Sequence, residues 1–366
     1  MFTEAAFTDT AFTDTVSIDA APTNAVSTNA APTADRAREY TGCAAICRRL
    51  DEPLIGTAPS TAAGWLLIEH PGPWPAYGLP QDVPTAVARF ARRALGHGVR
   101  TQLIRRPDRT GRQVELPTVL VAGGLAGRRW LERRDLDDPG AFGGLDPAAF
   151  AEPAAPGFGS PVEAALLVCT HGRREVCCAK YGRPVAQALA ARFAPLVWET
   201  THVGGDRFAA NLVVLPSGGY YGRLDPAEAV DVAQAALDGR IDLDRFRGTA
   251  GLPEAAQAAE CLLRRALGVA ESEAVRFLGE TGHEDVGRGD VGHSGEPAVR
   301  QPLPHTRTYT ARFAVSGTGV RVVTLERHEA ANPRLTSCGT GAVETPADYR
   351  LLSITAGSTA PATSGG

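Results

Sequence analysis

Apolar and polar residues fall into two successive stretches with the same rhythm: a short apolar run, a helical period, then further short runs. In the first stretch, which begins near Thr41, Trp65-Leu66-Leu67-Ile68-Glu69 reads as a short buried strand. Residues 84–95 carry a helical period (Val87, Phe90, Ala91, Ala94, Leu95), with Pro84 tolerable in the first turn and Gly96 ending it. Strands follow at Thr101–Ile104 and Thr118–Ala122, the second broken by Gly123-Gly124. Residues 136–160, rich in Asp, Pro, Gly and Ala, read as a linker or long connection.

The second stretch repeats this order. Ala165-Leu166-Leu167-Val168 is apolar and ends at Cys169. A helix runs through Pro184–Phe193, with Pro184 either in its first turn or kinking a longer helix that starts near Cys177. Leu196–Thr200 is the next strand, and Asn211–Leu215 with Tyr220–Leu224 make a hairpin around Pro216-Ser217-Gly218-Gly219. Asp225, Pro226 and Glu228 then spell a capping box, and Gly239 closes that helix. Strand, helix, strand, hairpin and helix in this order predict a thioredoxin-like module over 160–240. The first stretch, 38–150, reads as a second, degenerate thioredoxin-like module in which Glu69 falls near where Cys169 falls in the later one. Residues 241–357 form a C-terminal α+β extension: a helix near Pro253–Leu267 and a hairpin of Tyr309–Val315 with Val320–Leu325, separated by a polar loop over 280–304. The fold class is therefore α/β.

A length of 366 residues fits two or three domains. Hydrophobic content of 43% against 21% charged residues is that of an ordinary globular chain, and no apolar run reaches the length of a membrane span. The net charge of −4 makes no electrostatic case for a nucleic-acid partner. Lys180 is the single lysine among 37 basic residues, a GC-rich codon bias that lowers the weight of any one arginine. Residues 1–37 repeat Ala, Thr, Asn and Pro, have no basic residue before Arg36 and no apolar core, and read as a disordered tail rather than a signal peptide. The last dozen residues are expected to be disordered too.

Seven cysteines, an odd and clustered set, point to metal or redox chemistry in a reducing, cytoplasmic compartment. The informative text is Cys169-Thr170-His171-Gly172-Arg173-Arg174-Glu175-Val176-Cys177-Cys178, followed by His202-Val203-Gly204-Gly205-Asp206. Cys169 ends a strand and Cys178 begins a helix, while His202 and Asp206 follow the next strand. In a parallel arrangement both loops emerge at one rim, so four candidate ligands converge. Thiolates share covalency with iron, imidazole can replace some of them, and a helix N-terminus favours the bound negative charge. Arg173, Arg174 and Lys180 add positive charge nearby.

Each residue also has a bland reading. A buried cysteine at a strand end is usually packing, Asp206 could pair with Arg207 or cap a turn, and His171 is expected to hydrogen-bond within its loop. Cys43 and Cys47, four apart, could share a helix face and are expected to be buried for packing, because no partner pair stands beside them. Cys261 reads as core, and Cys338 as a packing residue or free thiol. Gly287-Arg288-Gly289-Asp290-Val291-Gly292 matches a dinucleotide fingerprint but lacks the strand before it and the helix after it, so it is read as chance.

The two motifs resemble the sucrase/ferredoxin-like family, whose members carry a Cys-Thr-His-Gly-x-x-Asp-x-Cys-Cys-like loop and a later Ser-His-x-Gly-Gly-His/Asp-x-Phe-Ala-Ala-Asn stretch. The resemblance extends less specifically from Gly56 (Gly-Thr-Ala-Pro, then Trp-Leu-Leu-Ile-Glu-His-Pro-Gly-Pro-Trp) to Leu224. It implies a thioredoxin-like ferredoxin holding a [2Fe–2S] cluster, which some eukaryotic relatives bind through two cysteines and two histidines. Carried over by position, the ligands are Cys169, Cys178, His202 and Asp206, the last standing where bis-histidine members have His. A carboxylate is hard and anionic, suits ferric iron, and leaves the cluster more negative than a second imidazole would. Cys177 is the alternative fourth ligand.

The leading expectation is thus an electron carrier cycling between a reductase and an acceptor protein, more a carrier than an enzyme. A thiol–disulfide oxidoreductase using Cys169 with Cys178 or Cys177 is the second possibility, although no C-x-x-C spacing occurs. A structural zinc module built on Cys169, Cys178, His202 and Asp206 is the third. Nothing here resembles the carboxylate pair of a glycosidase.

Overall fold

The computed structural model describes residues 42–357, apart from 109–110, 113, 126, 286–306 and 331. The tails expected at 1–37 and from Ser358, and the glycine motif at 287–292, lie outside the described residues.

After the short helix α1 (Cys43–Arg49) the chain lays down β1 (Gly64–Glu69), α2 (Thr85–Leu95), β2 (Val99–Arg105), β3 (Thr118–Gly123) and β4 (Trp130–Asp135), then the two-residue β5 (Ser160–Pro161). There follow β6 (Ala165–Cys169), α3 (Val176–Phe193), β7 (Val197–Thr200), β8 (Leu212–Leu215), β9 (Gly219–Tyr221), α4 (Pro226–Leu237) and β10 (Phe246–Thr249). These ten strands form one sheet in the order β10-β9-β8-β6-β7-β2-β1-β3-β4-β5. Within it β7-β6-β8-β9 and β2-β1-β3-β4 share one pattern. The first pair in each is parallel and the other two pairings are antiparallel. The two fours meet where β2 and β7 run antiparallel, Ile104 opposite Thr200 and Arg105 opposite Glu199. A buried ion pair, Arg105 to Glu199 at 2.6 Å, fastens that seam.

Alternation along the strands divides the core. Leu167, Cys169 and Val213 share an inner face with Trp65, Leu67 and Leu120 from the other half, so the curled sheet encloses a common core. Leu166, Val168, Leu212 and Val214 face outward and are covered by Val185, Leu189, Val232 and Ala233 of α3 and α4. On the first half, Val87, Phe90 and Ala94 of α2 cover Leu66, Ile68 and Val121.

Residues 136–160 are not a free linker. Asp138 and Asp146 each accept a main-chain N–H at the start of a 3₁₀ turn, followed by Pro139 and Pro147. Phe142, Phe150 and Phe158 are buried against α2 and the sheet. Isolated aromatics in a Gly/Pro-rich text carry no period, which is why the pattern there reads as loop. Of the two readings of Pro184, the longer helix is the one formed: Pro184 lies inside α3.

The C-terminal part holds α5 (Glu254–Leu267), then β11 (Val275–Asp285), β12 (Arg307–Val315), β13 (Gly319–Glu329), β14 (Arg334–Leu335), β15 (Val343–Glu344) and β16 (Ala347–Ala356). The expected hairpin is the centre of a four-stranded antiparallel sheet, β11-β12-β13-β16. The region expected as loop from 280 begins as strand, because β11 runs to Asp285. Register shifts beside Gly279, at φ +126°, interrupt the alternation that would have marked β11 as a strand. Among the described residues no helix is long and apolar enough to cross a membrane.

Candidate metal centre

β6 and β7 are parallel neighbours with Cys169 opposite Thr200, so the loops that follow them leave the sheet side by side. The Thr170 N–H donates to the Thr200 carbonyl at 3.1 Å and ties the two loops at their base. α3 then begins at Val176 and delivers Cys177 and Cys178 in its first turn. Its approach depends on Gly182, since a Cβ there would lie 2.1 Å from the Cys169 carbonyl oxygen. Glycine is required for close packing, and the helix brings Cys178 to the end of β6.

The second loop is fastened through its carbonyls. Gln102 Nε2 donates to the His202 oxygen at 3.0 Å, and Arg100 donates to the Val203 oxygen at 3.1 Å. Buried Arg247 donates to the Gly204 oxygen at 3.1 Å and to Asn211 Oδ1 at 2.8 Å, while Asn211 Nδ2 donates to the Gly205 oxygen at 2.9 Å. His171 accepts the His202 main-chain N–H on Nδ1 at 3.3 Å and meets the Pro75 oxygen through Nε2 at 2.9 Å. The accepting Nδ1 puts the ring proton on Nε2. His171 is therefore a brace, but between segments rather than within its own loop as expected: its ring ties that loop to the His202 loop and to Pro75.

The Cys169 and Cys178 sulfurs and a His202 ring nitrogen all lie within 4.8 Å of one another. Both cysteines are buried, and His202 is the outermost of the three. Asp206 is outside that mutually close set but adjoins it, its Oδ1 3.2 Å from His202 Nε2. It does not pair with Arg207, which turns instead to Glu52 at 2.6 Å. Hydrogen bonding between the two sulfurs, reinforced by His202, holds the Cys169 thiol well below its ordinary value. The same contact pushes Cys178 up. Burial raises the Asp206 carboxyl to about 6, with His202 opposing the shift and Glu175 adding to it.

The sequence motifs extend along most of this scaffold, and comparison with known proteins agrees. The sequence model of the sucrase/ferredoxin-like family matches residues 54–248, more than half of the chain, both loops included. The chain belongs to the sucrase/ferredoxin-like family. No match was found among curated proteins or among solved structures.

In this sucrase/ferredoxin-like protein the donor set suits an iron–sulfur or zinc group: two thiols, an imidazole and an adjoining carboxylate. Among the described residues His202 Nδ1 is buried without a hydrogen-bond partner, while Nε2 faces Asp206. Cys177 turns away from this set. Its sulfur is 3.3 Å from Cys43 Sγ and 3.6 Å from Cys338 Sγ, and these three form a second group within 4.8 Å. The expectation that no partners stand beside Cys43 is thereby corrected. Cys47, on the same helix, packs separately with Leu54 and Phe208. No sequence signal joins Cys43, Cys177 and Cys338, which come from three distant parts of the chain.

Beside His202 opens a cleft of about 1170 Å³ whose wall includes Arg89, Arg92, Arg93, Arg100 and Arg174. Composition argued for discounting single arginines; five around one opening are a different observation.

Proposed function

We propose that this protein is a one-electron carrier that holds a [2Fe–2S] cluster on a thioredoxin-like ferredoxin module, residues 160–240. Residues 38–150 are then a degenerate copy and 241–357 an extension. Cys169, Cys178 and His202 would hold the cluster, with Asp206 as the fourth ligand. When bound, the cluster supplies a site for one electron. The chain's own residues bury the sulfur side in the shared core, keep His202 at the outer edge and brace both loops. The observation that carries the reading is the meeting of Cys169, Cys178 and His202 within 4.8 Å at the ends of two parallel strands. Asp206 beside His202 supports it as fourth ligand, and the turn of Cys177 toward Cys43 counts against the alternative.

The partners are a reductase and an acceptor in the cytoplasm. The arginine cleft favours an acidic face on whichever docks there, since opposite charge both steers and orients an encounter.

One observation favours a second reading. Three donors within 4.8 Å also suit a single tetrahedral Zn²⁺. The dithiol enzyme is weaker, because a nucleophilic sulfur must meet its substrate and Cys169 and Cys178 are each about 1% exposed.

Protein purified without oxygen is expected to be red-brown, to bleach with dithionite, and to carry about two irons and two sulfides per chain. Cys169→Ser and Cys178→Ser are each expected to remove the colour. Colourless protein holding zinc at these residues would establish the second reading instead.

A further inference from the structure

The cysteine group outside this centre has features that packing alone does not require. Cys43 starts α1, Cys177 lies in the first turn of α3, and Cys338 sits between β14 and β15. Their sulfurs approach to 3.3 Å (Cys43–Cys177) and 3.6 Å (Cys177–Cys338), all three within 4.8 Å. These separations exceed a disulfide bond of about 2.05 Å. Metal–sulfur bonds of about 2.3 Å put neighbouring thiolates of a tetrahedral site about 3.8 Å apart, close to what is observed.

Cys338 is held in place by two independent devices. The buried Glu175 carboxylate accepts the Ser337 hydroxyl, the Cys338 N–H at 3.0 Å and the Gly339 N–H at 2.9 Å. At Gly339 a Cβ would lie 2.3 Å from the Arg174 oxygen, so only glycine lets this segment come so near the start of α3. The Cys43 main-chain N–H also donates to the Cys338 sulfur at 3.0 Å. A buried acid and a glycine contact that position one sulfur, and an N–H aimed at it, are what surrounds a metal-binding thiolate.

We propose that Cys43, Cys177 and Cys338 bind a single Zn²⁺ ion through three thiolates. Each thiol gives its proton to solvent as the ion binds. The half-exposed Cys338 leaves water within reach of the fourth position. Three soft ligands around one ion select zinc over hard cations. The ion clasps α1, the start of α3 and the C-terminal segment at the residue next to Cys178. This assignment does not rest on the electron-carrier reading.

The test uses the full chain carrying Cys169→Ser and Cys178→Ser, so that the first centre is disabled. Dialysed against Zn²⁺ and desalted, it is expected to keep about one zinc per chain. Cobalt(II) in place of zinc is expected to show thiolate charge-transfer and tetrahedral bands. Adding Cys338→Ser, or separately Cys43→Ser, is expected to weaken zinc binding at least tenfold and remove the cobalt charge-transfer band. Circular dichroism checks that each variant folds, and Cys338→Ser, at the more exposed position, serves should Cys43→Ser fail to fold. In the otherwise unaltered protein, Cys338→Ser is expected to leave the content and colour of the first centre unchanged. Zinc content indifferent to both substitutions, preferential retention of Cu⁺, or a Cys43–Cys177 disulfide in the native protein would each overturn the proposal.

Discussion

Asp206 adjoins the set of Cys169, Cys178 and His202, and its charge is the lever. On the proposed electron-carrier reading, a carboxylate beside His202 adds negative charge to a centre that gains an electron on reduction, which lowers its reduction potential. Asp206→Asn is expected to raise that potential, and a change of about 1.4 kcal/mol corresponds to about 59 mV for one electron. Asp206→His is expected to retain the cluster with an altered spectrum and also to raise the potential. Protein-film voltammetry reads both variants, and a potential identical in all three proteins would remove Asp206 from the centre.

At the scale of elements, the site depends on one helix lying tight against one strand. Gly182 permits it, because the position of a Cβ there is already occupied by the Cys169 carbonyl. Gly182→Ala is expected to destabilise the protein by roughly 1–3 kcal/mol and to lower cluster occupancy, as α3 lifts and carries Cys178 from Cys169. Gly143→Ala, with nothing near its Cβ, is the control and is expected to stay within about 0.5 kcal/mol. Denaturant unfolding with iron analysis measures both effects, and equal stabilities would show that the helix yields without loss.

For the molecule as a whole, the centre lies at the seam of the large sheet. Thr200 pairs with Cys169 on one side and Ile104 on the other, so the first half walls the site as well as bracing it. α2 contributes Arg89, Arg92 and Arg93 to the cleft beside His202. Arg92→Glu with Arg93→Glu, both exposed and outside the ligand set, is expected to slow electron transfer with an acidic partner about tenfold at low salt, while potential and iron content stay constant. Stopped-flow rates across ionic strength test it: the unaltered protein slows as salt rises, and the variant loses most of that dependence. Equal rates at low salt would place docking elsewhere.

The chain pattern by itself determined most strands of the large sheet, helices α2, α4 and α5, and the two loops that bear Cys169, Cys178, His202 and Asp206. These are local properties, written in apolar periods, caps and adjacent residues. The capping box at Asp225 is an example, with the reciprocal Glu228 contact formed as spelled. The 3₁₀ turns over 139–150, the outer strands β11 and β16, and the burial of Phe142 and Phe150 were decided only by packing, because their apolar residues meet partners from other elements. Tertiary structure alone sorted the cysteines. Adjacent Cys177 and Cys178 project from one helical turn in different directions, one toward Cys43 and Cys338, the other toward Cys169 and His202. Those distant partners exist only after the chain has folded.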